Sequence, residues 1–376
     1  FKVAMVTINN AVAVALEGPR NKKKYYSPYR QSRIIFTTLT LTLTNILVLT
    51  CILLSYFRSN TQETTSEVTV LPNWDDRGTN LYSDRHNALP NIGYRNITFW
   101  HFRKYGQFWV SNDECHNRNF WDIATRGGWE FSTFQIFEKY TVPNETIVVD
   151  FGTWIGPTLL FHGSFSRRSF GIEADPVAYA VAEYNVELNR NKTWGGRISV
   201  DPGCIARPED VGMTRMKAGR HPGMSMSGIG KHVAQDKGSR SVTWMVQCYT
   251  LSDIFDNYWL IEKPYKDVLI KIDVESYECK LIPSFYDWLR NETYLPKMFI
   301  SFHPQITSCT DEEYRGVLKF FKLYDHIRFG DKEEFDVQNA TAKDFKAKIS
   351  ARKNIDNGVV AYQQHHAEKF PGAKQG

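Results

Sequence analysis

The stretch VVDFGTWIGPTLLF, Val148 to Phe161, sets the frame in which the rest of the chain is read. With TI before it, it runs as an uninterrupted apolar segment into an acid, Asp150. It then turns through Gly152 and Gly156 with Trp154 between them, and becomes apolar again. An apolar run without polar alternation belongs to a strand buried on both faces, as parallel strands are. The two glycines allow a tight turn and a close approach of backbone to ligand, and GPTLLF begins a helix with free N-terminal amides. A lone Gly-x-x-x-Gly turn says little. It gains weight from Glu173, which closes the next strand in SFGIEADP 17 residues after Gly156, where a carboxylate can accept both hydroxyls of a ribose. Together they describe an adenosine pocket.

Outward from that turn, the chain alternates short apolar runs with amphipathic segments. TIVVD, RSFGIE, RISVD, DVLIKID and MFISFH read as strands ending at polar residues, and PVAYAVAEYNVELN, ECKLIPSFYDWL and TDEEYRGVLKFFKLY have helical spacing. This is the pattern of a doubly wound α/β sheet with helices on both faces, whose ligands bind beyond the carboxyl ends of the strands. The expected domain runs over 146–376. Residues 203–240 break the pattern with seven Gly, four Met and no aromatic residue, and are expected to form a long loop or lid.

The net charge of +5 is concentrated at the beginning of the chain. Residues 1–33 hold seven Lys/Arg against one Glu, so the remainder is near neutral and a nucleic-acid partner loses its main support. Ile34 to Phe57 gives 24 residues without a charge, enough to cross a bilayer core of about 30 Å. The basic flank before it places residues 1–33 in the cytosol. The expectation is therefore a single-pass signal anchor at 34–57, a polar stem at 58–95, and a body in the lumen of the secretory pathway, Golgi or endoplasmic reticulum. Five Asn-x-Thr triplets, at Asn96, Asn144, Asn191, Asn291 and Asn339, all follow the apolar run. Five cysteines lie beyond it, an odd number that permits at most two bridges, and no Cys or His spacing suggests zinc. Between 96 and 145 the aromatic density is high. Phe99, Trp100, Phe102, Tyr105, Phe108, Trp109, Phe120, Trp121, Trp129, Phe131 and Phe134 call for burial, so this segment is expected to pack on the main domain, with some rings lining a pocket.

A dinucleotide site spends its glycines and helix amides on a pyrophosphate, which Asp150 would repel. An acid there suits a ligand bearing an ammonium and a sulfonium. Neither a Tyr-x-x-x-Lys pair for hydride transfer nor a Walker lysine motif occurs.

In this order and with similar spacing, VVDFGTWIG, FGIEADP, GMSMSG, CYTLSDIF and LIKIDVESYE make the chain resemble the FkbM family of class I S-adenosylmethionine-dependent methyltransferases, over about Trp129 to His303. The resemblance implies a Rossmann-like methyltransferase sheet with S-adenosylmethionine as cofactor. It implies that Asp150, Gly152, Trp154 and Gly156 shape the cofactor turn, that Glu173 holds the ribose, and that Asp273 and Glu275 flank the transfer site. Two positions depart from the family pattern: Ser276 replaces a usual Gly, and Ser301 stands where an acid is common before His303.

Methyl transfer to a neutral hydroxyl calls for alignment and a base, and Asp273, Glu275 and His303 are the candidates. Asp273 and Glu275 could alternatively bind a divalent metal, Glu275 could complement a helix dipole, and His303 could cap a strand. The function expected is O-methylation of a glycan or other hydroxylated acceptor without a resident metal. The rivals are a lumenal metal-dependent glycosyltransferase, with Glu173 and Asp175 or Asp273 and Glu275 as the metal-binding acid pair that grips a nucleotide diphosphate, and a catalytically inactive adenosine-binding module. Acceptor, disulfide pairing and oligomeric state are not written in the sequence.

Overall fold

The computed structural model describes residues 76–363 apart from 219–220, 226, 230–241, 259–266, 276, 304–308, 331–332 and 352–357. The basic arm, the expected anchor at 34–57 and residues 58–75 of the expected stem lie outside the described residues. Among the described residues no helix is long and apolar enough to cross a membrane.

The five expected strands form, and they sit side by side in one eight-stranded sheet. In chain order they are β3 (Ile147–Phe151), β4 (Arg168–Glu173), β5 (Ile198–Pro202), β10 (Val268–Ile272) and β11 (Lys297–Ser301). Three more complete it: β12 (His326–Phe329), β13 (Glu333–Glu334) and β14 (Gly358–Tyr362). The spatial order is β13-β12-β14-β11-β10-β3-β4-β5. β5, β4, β3, β10 and β11 run parallel, while β14 is antiparallel to both β11 and β12. This is a mixed, Rossmann-like α/β sheet in which the order reverses between β3 and β10, so the loops leaving those two strands diverge and open a crevice. A plain dinucleotide sheet continues with a parallel sixth strand; the antiparallel β14 departs from it.

The central strands are apolar throughout because each face feeds a separate core. Val148 and Leu269 pack with the aromatic extension and the helices beside it, whereas Val149 and Ile270 pack on the opposite face with Phe285, Phe320 and Phe345. On the first face lie α1 (Asp76–Ile92), α2 (Phe120–Thr125), α3 (Phe131–Tyr140), α4 (Pro157–Gly163) and α5 (Pro176–Leu188). On the second lie α6 (Glu278–Leu281), α7 (Tyr286–Leu289), α8 (Asp311–Phe321) and α9 (Ala342–Ala351). Pro157 and Pro176 open their helices at the position where a missing N–H costs nothing, and Asp175 caps α5 by accepting from the Val177 and Ala178 amides. Thr310 and Glu313 form a reciprocal capping box on α8.

Three expectations need correction. The stem boundary at 95 is too late: Asp76–Ile92 is a helix docked on α5, with Tyr82 donating to Glu183 and stacking near Tyr179, and Leu89 fully buried. The long loop at 203–240 is partly a second sheet. β6 (Cys204–Ile205), β7 (Gly212–Ala218), β8 (Gly228–Ile229) and β9 (Val242–Tyr249) pair in the order β6-β9-β7-β8. Alternation in GMTRMKA and VTWMVQCY signals it, but the glycines flanking these strands mask the pattern. Finally, Trp100 is not in the core: it is 56% exposed and lies under Arg103 and Arg126 in cation–π contact. The other aromatic residues of that block are buried or half-buried.

The cysteine arithmetic holds. Cys204 pairs with Cys248, joining β6 to β9, and Cys279 pairs with Cys309, while Cys115 is a buried thiol.

Candidate active site

The crevice at the strand reversal is a real cavity, of about 280 Å³. Its floor is the turn after β3. Gly152 has φ +78°, and a Cβ there would stand 1.8 Å from the carbonyl oxygen of Asp273, so only glycine lets the β3 and β10 loops meet this closely. Trp154 follows with φ +50°, a left-handed backbone that a bulky residue adopts at a cost. It is held there from three sides. Its backbone N–H donates to Glu173 Oε2 at 2.7 Å, its indole N–H donates to the Gly223 carbonyl at 2.7 Å, and Phe120 packs edge-on at 4.6 Å.

Glu173, at the carboxyl end of β4, faces this cavity with both oxygens fixed: Oε2 by Trp154 and Oε1 by the Asp175 amide at 2.7 Å. A carboxylate has about four acceptor sites, so two remain for hydroxyl donors. Burial pushes Glu173 up to about 7, so donors from a ligand would favour its ionised form. Asp175 also holds the Gly223 amide and the Ser227 hydroxyl, each at 2.7 Å. These contacts lay the segment carrying Met224, Ser225 and Ser227 along the cavity wall. The GMSMSG signal is thus a wall of the site, with Met226 itself outside the described residues.

Asp150 is placed differently from the expectation. It is fully buried and is not among the lining residues. Its Oδ1 accepts from Lys271 Nζ at 2.9 Å and its Oδ2 accepts from the Thr158 hydroxyl at 2.5 Å. Its charge is therefore spent internally, and it cannot repel or attract a ligand as supposed; it supports the turn from beneath. Gly156 likewise does not line the cavity, and serves as the left-handed residue (φ +91°) before α4.

The second wall is a cluster of ionisable groups. Asp273 and Glu275 follow β10, His303 follows β11, and Glu130 reaches in from the residue before α3. His303 Nε2 lies 3.4 Å from Asp273 Oδ1 and 3.7 Å from Glu275 Oε2, and its Nδ1 lies 3.0 Å from Glu278 Oε1. Burial pulls the imidazole down, but the carboxylates of Glu278, Asp273 and Glu275 outweigh it and push His303 up to about 10. It is thus an imidazolium at neutral pH. Glu275 also rises, here because burial, only partly offset by His303 and reinforced by Asp273, pushes it up to about 8. Glu130 is pushed to about 8 by burial and Asp273. Glu275 (φ +47°) and Glu130 (φ +41°) both have left-handed backbones, as Trp154 does. Three strained non-glycine residues at one cavity are the kind of outlier that accompanies function. Asp273, Glu275 and His303 also offer one donor atom each within 4.8 Å of one another, so the trio could coordinate a cation.

Of the expected site residues, then, Gly152, Trp154, Glu173, Asp273, Glu275 and His303 meet at one cavity, and Asp150 and Gly156 stand behind it. Glu130, Lys271 and Tyr277 line it too and were not singled out. Lys271 left a trace in the sequence: a lone lysine inside VLIKI must be paired if the strand is buried. Glu130 left none, because it reaches the site through an aromatic segment distant in sequence.

The sequence matches no protein-family model and no curated protein. Among solved structures, the chain is similar to that of the methyltransferase FkbM from Methylobacillus flagellatus KT, with 13% identity and a TM-score of 0.26 over 60% of this chain and 48% of that one. The chain thus spans about half the length of that relative. So slight a likeness leaves the chemistry to be argued from this chain's own geometry.

Proposed function

We propose that this chain is an S-adenosylmethionine-dependent O-methyltransferase acting on a hydroxyl of a glycan or other hydroxylated acceptor, with its body in the secretory lumen behind an anchor at 34–57. The observation that carries the reading is the number of carboxyl groups in the cavity beside Glu173, which a cationic ligand would drive toward their ionised forms. Glu130, Glu173, Asp273 and Glu275 line it, and its cations among the described lining residues, Lys271 and His303, are both engaged by carboxylates. Such a site favours a nucleoside ligand with net positive charge and disfavours a diphosphate.

The residues fit that cofactor. Glu173 would take the ribose hydroxyls, and the glycine-forced approach at Gly152 brings Asp273 to the cavity, where it would face the cationic part. When bound, S-adenosylmethionine supplies a methyl carbon already activated by sulfonium, so the chain's task is to align an oxygen nucleophile and take its proton. Glu275 suits the second duty: a carboxylate raised to about 8 is a base matched to neutral pH. His303, as an imidazolium, is a poor base. Its role here is to hold Asp273 and Glu275 in place between Nε2 and the Glu278 anchor on Nδ1. Trp129, Met216, Met224 and Ile229 give the cavity apolar walls that exclude water from the reacting groups.

The competing reading, a manganese-dependent glycosyltransferase, draws on the convergence of Asp273, Glu275 and His303. Incubation with a labelled methyl donor and a glycan panel in the presence of a chelator, with mass-spectrometric product analysis, separates the two. Label on a hydroxyl supports methyl transfer; strict dependence on manganese with transfer of a sugar from a nucleotide donor overturns it.

A further inference from the structure

The five Asn-x-Thr triplets are scattered from Asn96 to Asn339 in sequence, yet the fold gathers them at one edge. All five asparagines are exposed. Asn144 lies just before β3, and its Oδ1 accepts from Arg197 at 2.7 Å, the residue before β5. Asn191 lies between the end of α5 and β5, and Asn291 lies between α7 and β11. Asn339 follows Gln338, whose side chain donates to the Lys322 and Tyr324 carbonyls just ahead of β12. All four positions therefore sit at the amino edge of the sheet, Asn339 by way of β12, which runs in the same direction as β11 across the antiparallel β14. Asn96 is on β1 (Tyr94–Ile97), opposite Trp109 of β2 (Phe108–Ser111). The Trp109 backbone is held on both N–H and C=O by the side chain of Asn189, which ends α5 on the same side. The cavity opens at the carboxyl ends of the same strands, so the sheet separates it from every triplet.

We infer that Asn96, Asn144, Asn191, Asn291 and Asn339 are N-glycosylation sites that together coat the amino edge of the sheet and leave the cavity mouth bare. In each, the amide Nδ2 attacks the anomeric carbon of an oligosaccharide carried on a polyprenyl diphosphate. The Nδ2–carbon bond forms, the carbon–oxygen bond to the diphosphate breaks with its electron pair leaving on the diphosphate, and one amide proton passes to a base of the transferring enzyme. No redox change is involved. A bulky hydrated chain is tolerated only where it displaces no packing, which is true of these five exposed side chains. Asn144 adds a timing constraint: the hydroxyl of Thr146, the third residue of its triplet, is buried against the Val142 amide and Asp267. Its modification precedes closure of the domain.

This inference rests on the lumenal placement proposed above, and the test separates the two. The full chain is expressed in a eukaryotic secretory cell, and microsomes are treated with protease before the body's peptides are stripped of glycan with peptide N-glycosidase and read by mass spectrometry. A protected body with Asn-to-Asp conversion at four or five of the positions supports the inference. A protected body with three or fewer converted overturns the glycan map alone, and a body open to protease overturns the lumenal placement with it. The five Asn→Gln changes made together leave affinity for S-adenosylmethionine within twofold of the parent; a larger loss means that the glycan-bearing edge and the cavity are not independent.

Discussion

Two buried lysines, one at each edge of the same sheet, show how differently the edges are built. Lys297 begins β11 at the amino edge, fully buried, and its ammonium is 2.5 Å from Asp267 and donates to the Tyr140 carbonyl at 2.6 Å. Lys271 lies near the end of β10 at the carboxyl edge, donating to Asp150 at 2.9 Å and to the Gly152 carbonyl at 3.1 Å, with Asp273 at 3.5 Å. The first pair closes a core. The second holds up a cavity where Glu130 and Glu275 have left-handed backbones and, with Glu173, are raised in pKa. A fold can satisfy a buried charge completely where it needs only rigidity, and leaves charges in excess where a ligand is to complete them.

The largest effect expected from breaking this contrast comes from Glu275→Gly. It removes the proposed base and relieves a left-handed backbone in one change, so methyl transfer should fall about 10²–10⁴-fold while stability rises by about 1 kcal/mol. Steady-state kinetics and denaturant melts on the same preparation check it; an active or strongly destabilised variant would contradict the assignment. Next come the lysines. Lys297→Met and Lys271→Met should each cost about 3–5 kcal/mol by leaving a buried carboxylate unpaired. Only Lys271→Met should also weaken S-adenosylmethionine binding in the fraction that folds, measured by calorimetry, and equal loss in both variants would erase the distinction.

A smaller effect concerns His162 on α4, fully buried among Phe137, Phe161 and Phe165 with both ring nitrogens lacking a hydrogen-bond partner. Burial pulls it down to about 3, so the folded state keeps it neutral. The unfolded chain binds a proton below its ordinary value of 6.5, so stability is full above about pH 6.5 and is lost as pH falls from there toward 3. His162→Leu should remove that part of the acid sensitivity and add about 1–3 kcal/mol at neutral pH. Melts at several pH values test it, and an unchanged slope would count against it. The smallest expected effect is on cofactor affinity. Because Glu130, Glu173 and Glu275 are raised to between about 7 and 8, a cationic ligand must displace protons to bind. Affinity should rise severalfold from pH 6 to pH 7.5, before the ligand's own amino group titrates near about pH 8; a flat profile would mean those acids do not face the ligand.

Much of the architecture is legible in the sequence because parallel strands buried on both faces announce themselves as apolar runs: VVD, VLIKI and MFIS each appear where expected. β14 was not anticipated, since GVVAY in isolation carries no mark of its antiparallel insertion between β11 and β12. The site divides in the same way. Residues at strand ends, Glu173, Asp273, Glu275 and His303, were predictable because the sheet fixes where strand ends go. Asp150 was misassigned because a strand-end acid can point into the core as readily as out of it. What decided was Lys271 on the neighbouring strand, in register with Asp150, a pairing that follows only once β3 and β10 are known to be adjacent.

The central claim is that a cationic adenosine ligand lies across the β3 and β4 strand ends with its sugar on Glu173. Titration calorimetry with S-adenosylmethionine in the presence of a chelator tests it most directly, using the parent chain and Glu173→Gln, which preserves the side chain's shape. Metal-free binding by the parent, weakened about tenfold or more in the variant as charge-assisted hydrogen bonds are lost, is the predicted result. Identical affinities, or no binding until manganese and a nucleotide sugar are supplied, would contradict it.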